Sequence, residues 1–220
     1  MACSPQARVA LLGHELGHFA HGDLTDGLLV GGAQETLLHW YDVATGFRIG
    51  SYETNILQTI GLAPLRALTS SYLVLLTLLN AAPRRRRELL ADLDAVRAAG
   101  TDGALDLLDM SVSRVSIETA MRRAVLRPDR PDMWETIREH MATVTPEMRV
   151  RRRTAASTGD TRIDDSHPAD HLRIRLVETW PTMTAAIDMR RHDWAAIDAE
   201  LAPALAPAAR SAADLVRAGL

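Results

Sequence analysis

Residues 11–23 read LLGHELGHFAHGD, continuing an apolar run that begins at Val9. Such a run on a helical period predicts a helix over 7–22, entered through Ser4-Pro5-Gln6. Pro5 falls near the first helical position, where its fixed φ and missing N–H cost little. Gly22-Asp23 ends the helix. On this helix His14 and His18 project from one face, one turn apart. Gly13 and Gly17 cost about 1 kcal/mol each relative to alanine inside a helix. Their presence implies that something packs closely against the backbone there.

Two imidazoles at that separation can share one metal ion. Glu15, next to the first of them, can take a proton from a metal-held water and pass it to a leaving amine. The pattern is HExxH, which proposes a metallopeptidase. In a chain with eight histidines the pattern arises by chance in roughly a few per cent of cases, and the competing reading makes both histidines ordinary surface or core groups.

A third ligand must come from elsewhere. The extended pattern HExxHxxGxxH is excluded, because His21 stands where glycine is required and Leu24 where the third histidine is required. A glutamate on a later helix remains, and Glu35, Glu53 and Glu88 each complete a two-His, one-Glu set with an open position for water. Glu88 stands out because Asp92, one turn further, can hydrogen-bond the free ring nitrogen of a ligating histidine and fix its orientation. Glu35 has His39 in that place, which is less suitable.

Composition narrows the class. The 220 residues suit one domain, with 47% hydrophobic and 4% aromatic residues. All 25 basic residues are arginine, a coding bias rather than a nucleic-acid signal, and the net charge is -3. No nucleotide-binding loop is present, so neither nucleic acid nor nucleotide is an expected partner. The single cysteine, Cys3, excludes an internal disulfide and a cysteine-based zinc site. The start lacks the charged, apolar and small-residue regions of a secretory signal. Zinc peptidases generally place a β-sheet before the motif helix; only thirteen residues precede His14, so the domain is expected to be N-terminally short.

The remaining pattern is helical almost throughout. A helix is expected over 27–45 and a loop over 46–54. Residues 56–79 form the most apolar stretch, with an uninterrupted part of about a dozen residues against the roughly 20 of a clean transmembrane helix. A buried core helix and a re-entrant or interfacial segment compete for it. Arg84 to Arg87 follow immediately, and such a cluster beside an apolar run favours the cytoplasmic face of a membrane, or forms a solvated helix face. Pro83 is expected to start the next helix and Gly100 to stop it. Beyond them, Leu105, Leu108, Val112, Val115 and Thr119 repeat as a core stripe, and Pro128, Pro131 and Pro146 cut the region that follows. Residues 151–166 read as polar and flexible, His167-Pro168 opens a helix bearing Ile174 and Val177, and the chain from Thr182 is helical but interrupted at Pro203 and Pro207. No period-two strand is found. The expected fold is mainly α, with little or no β-sheet.

HELGHFAHGD, then RRRRELLADLDAVRAAGTDGAL, then SHPADHLRIRL occur in this order over residues 7–178. These blocks resemble the HtpX-like and CAAX prenyl protease family of membrane zinc endopeptidases. The resemblance implies a zincin-type core built on an HExxH helix and an ExxxD helix, with one Zn2+ per chain held by His14, His18 and Glu88. It implies Glu15 as general base, Asp92 and Asp23 supporting the ligands, His167 stabilising the oxyanion and Arg173 supporting the site electrostatically. It further implies a peptidase domain over 1–180, a helical C-terminal segment over 181–220, a peptide or protein substrate and contact with membrane lipid. The location follows as the cytoplasmic membrane with the active site on the cytoplasmic side, the alternative being the cytoplasm. A two-His, one-carboxylate iron oxygenase would share the ligand set, but it has no need of Glu15 and normally uses a β-barrel. The alternative function is a truncated, non-proteolytic metal-binding or scaffold member of the same family.

Overall fold

The computed structural model describes residues 3–45, 60–127, 132–158 and 168–218, with the backbone alone over 23–28. Helices α1 (Pro5–Ala20), α2 (Asp23–Thr45), α3 (Ala63–Val112), α4 (Arg114–Leu126), α5 (Met133–Ala142), α6 (Pro146–Ser157), α7 (Asp170–Thr179) and α8 (Trp194–Ala218) follow one another, with a 3-10 turn at Met189–Arg191. There is no strand among the described residues. The chain is mainly α, as the absence of period-two patterning predicts. The predicted loop over 46–54 lies outside the described residues.

Contacts divide the chain into two compact units. The first comprises 1–17, 91–160 and 169–220. Its main core joins Val9 and Ala10 of α1 to Ala95, Val96, Ala99, Ala104 and Leu108 of α3, and to Ile174, Val177 and Met189. A smaller cluster packs Ala120, Met133 and Ile137 of α4 and α5. The α1–α3 contact is made by small residues. A Cβ added to Gly13 would lie 2.9 Å from Ala98 Cβ, and one added to Gly17 would lie 3.0 Å from Ala91 Cα. The close approach read from the two glycines is present, and α3 is what approaches.

Four readings of helix extent are corrected. Helix α3 breaks at Gly100 (φ 78°, ψ 166°), as expected, but it does not begin at Pro83, which lies inside it. Leucine, alanine and arginine on both sides are strong helix formers and carry the helix past the missing N–H. For the same reason α8 runs unbroken through Pro203 and Pro207. The stripe from Leu105 to Thr119 is interrupted at Ser113; Leu108 is 2% exposed, whereas Val115, beyond the interruption, is 74% exposed. Residues 151–157, read as flexible, belong to α6, whose first turn is capped by Thr145 Oγ1 accepting from Met148 N. Arg153 binds Asp109 and Glu178, and Arg152 donates to the hydroxyls of Ser113 and Ser116, so these two guanidiniums are engaged within the unit.

The stretch 181–193, expected to be helical, is irregular apart from the 3-10 turn at Met189–Arg191. It straps the break at Gly100: Ala186 N donates to Arg97 O, Ile187 N to Ala98 O, and Thr101 N to Met183 O. Gln6 donates to both Ala99 O and Ile187 O, each at 2.8 Å, and accepts from Met189 N. Carbonyls orphaned where the helix ends thus find partners in a distant segment.

The second unit comprises 18–90 and 161–168. Its described part is α2 and the first half of α3. The apolar stretch does not form a buried core helix. Leu68, Tyr72, Val74, Leu75, Leu78 and Leu79 are all exposed. This half of α3 is long and apolar enough to cross a membrane, with 11% of its most apolar window buried.

Candidate metal centre

Helix α1 is set by its first turn, where Ala7 N donates to Ser4 Oγ, itself bonded to the Asp106 carboxylate. His14 is buried and His18 is half-buried on the face turned toward α3. Glu88 and Asp92, at 5% and 3% exposure, occupy successive turns of α3. Backbones brought close by Gly13 and Gly17 let these short side chains meet.

His14 Nδ1 lies 3.1 Å from Asp92 Oδ1. Asp92 is in turn gripped by Arg173 of α7, whose Nε donates to Oδ2 at 2.8 Å and whose Nη2 donates to Oδ1 at 2.5 Å. Arg173 also donates from Nη1 to Asp170 at 3.4 Å. Burial raises the Asp92 pKa, but the hydrogen bonds from Arg173 and His14 outweigh it and hold the carboxyl below its ordinary value. An ionised carboxylate therefore faces the His14 ring, with a fork-shaped cation behind it.

His18 Nε2 stands 3.7 Å from Glu88 Oε1. That is too long for a hydrogen bond. It is near the separation of about 3.3 Å that two ligands with bonds of about 2.0–2.1 Å span across a tetrahedral ion. One ligand atom each from His14, His18 and Glu88 falls within 4.8 Å of the others. Two imidazoles and a carboxylate are a donor set that zinc accepts, and three protein ligands leave a position open. The residues present fit the metal.

Glu15 is exposed, on the row of α1 next to the histidines. Of the other candidates, Glu35 is exposed on α2 and stands outside the cluster. Asp23 begins α2, its side chain not being described, and Glu53 and His167 lie outside the described residues. Sequence reasoning missed Asp170, the further carboxylate on Arg173; its i, i+3 spacing from Arg173 was the available signal.

A mainly helical chain that packs an HExxH helix on an ExxxD helix has the arrangement of a metallopeptidase. The model of Peptidase family M48 matches residues 1–181, and the chain is a member of that family. The three sequence blocks pointed to the same family. Comparison with curated proteins and with solved structures returned no match.

Proposed function

We propose that this metallopeptidase is a zinc-dependent endopeptidase whose metal is held by His14, His18 and Glu88. The observation that carries the reading is the convergence of those three side chains within 4.8 Å, with Asp92 against His14. Zinc, when bound, polarises a scissile carbonyl and makes a water acidic near neutral pH. The chain's own groups do the rest. Glu15 takes the proton from the attacking water and delivers it to the leaving amine. Asp92 orients His14 through Nδ1 and leaves Nε2 for the metal. Arg173 keeps Asp92 ionised and fixed; to Asp23 and His167 the family resemblance assigns support of the ligands and stabilisation of the developing oxyanion. The chemistry belongs to residues 1–180, and 181–220 buttress them. The exposed leucines of α3 and the arginines at 84–87 favour work at the cytoplasmic face of a membrane on peptide or protein substrates.

Zinc content and casein cleavage test this together. Wild type is expected to hold one zinc per chain and to cut. Glu88→Ala loses or greatly weakens the metal; Glu15→Gln keeps it and loses hydrolysis. Equal zinc in wild type and Glu88→Ala refutes the third ligand, and undiminished cleavage by Glu15→Gln refutes the general base.

A further inference from the structure

Leu11, Glu15 and Phe19 follow one another at intervals of four along α1, so they form one row, each about 6 Å further along the axis. Leu11 is 41% exposed and Phe19 is 60% exposed. Glu15 between them is exposed as well. This row adjoins the one carrying His14 and His18. Leu12 and Leu16, at 62% and 63% exposure, extend the apolar surface on its far side.

We infer that Leu11 and Phe19 select substrates with bulky apolar side chains close to the bond that is cut, within about two residues on each side. The inference rests on Glu15 being the general base. A peptide whose carbonyl is held at the metal, with the attacking water at Glu15, is brought beside this row. Same-face side chains of an extended peptide recur about every 7 Å, close to the spacing of the row. A polar substrate would leave Leu11 and Phe19 wet; an apolar one removes them from water. A permanent cover over both residues, whether lipid or a second copy of the chain, would also cover Glu15 and stop turnover. A ligand that is cut and leaves is the occupant compatible with the proposed reaction.

The test is binding of fluorescent peptides to the full chain, zinc-loaded and carrying Glu15→Gln so that nothing is cut. One peptide series has Leu or Phe at the positions flanking the test bond, the other has Ser. The apolar series is expected to bind at least tenfold tighter. Leu11→Ser and Phe19→Ser erase most of that preference, Phe19→Leu retains it, and zinc content stays at the level of the parent. Equal binding of both series overturns the inference, as does a preference that survives both serine variants. Serine variants that shift the sedimentation coefficient or vesicle binding while leaving the peptide preference intact also overturn it, by assigning the row to a second copy or to lipid. Wild type is assayed separately for cutting the same peptides. Selective binding without cleavage overturns the hydrolytic reading and the inference that rests on it; cleavage without selective binding overturns the inference alone.

Discussion

Arg173 grips the Asp92 carboxylate that lies 3.1 Å from His14 Nδ1, so it bears on the proposed site at one remove. Its fork reaches both carboxylate oxygens at 2.8 and 2.5 Å, and the pair is buried. Lysine would keep the charge and lose the two-pronged grip. Arg173→Lys is expected to weaken zinc about ten- to hundredfold by chelator competition, the usual effect of disturbing a group that supports a ligand. Arg173→Ala is worse, because it leaves Asp92 ionised in the interior without its partner; the expected loss is about 3–5 kcal/mol of stability in denaturant unfolding. Unchanged zinc affinity in Arg173→Lys would separate this arginine from the site. The histidines were legible because their spacing is local. The closeness of Glu88 and Asp92 to the histidine face was legible because one helical turn separates the two carboxylates. Arg173 was not legible from the residues alone, since a charge on α7 gives no local sign that it will be buried against α3.

Helix contacts offer a paired comparison. Gly17→Ala places a methyl 3.0 Å from Ala91 Cα, a backbone atom that cannot swing aside. The α1–α3 spacing must grow by a few tenths of an ångström, at about 1–3 kcal/mol for overpacking, and the ligands separate with it. Gly100→Ala meets a conformation that only glycine readily adopts, with φ 78° and ψ 166°, and a backbone nitrogen 2.9 Å away at Ala185. It is expected to cost about 1–3 kcal/mol without moving a ligand. Thermal melts should therefore drop for both variants, whereas zinc per folded chain falls for Gly17→Ala alone; a parallel loss of zinc in Gly100→Ala would contradict this division. At this scale the sequence is readable where one residue forces one outcome. Gly100 stops a helix, and glycines on a helix face mark a close neighbour. It misleads where neighbours outvote a residue, as at Pro83, Pro203 and Pro207. The strap over 183–189 was illegible because its hydrogen bonds go to residues near 6 and 100, and nothing in its own composition names them. Thr145-Pro146 did announce α6, a cap followed by a helix-starting proline, but Pro146 was read as a breaker.

For the whole molecule, the exposed leucines between 68 and 79 and the arginines that follow predict two separable attachments to a membrane. In flotation with anionic vesicles the chain is expected to rise with the lipid and to stay there in high salt, which screens the arginines but not apolar contact. Neutralising 84–87 to glutamine should lower only the salt-sensitive part of the binding. Complete release of the unaltered chain by salt would reduce α3 to a surface contact. The strap carries a different consequence, in time rather than in energy. Gln6 waits for Ile187 and Met189, 181 and 183 residues downstream. At about 5–20 residues per second a ribosome needs roughly 10–40 s to deliver them. The motif helix thus leaves the ribosome well before the segment that locks it in place.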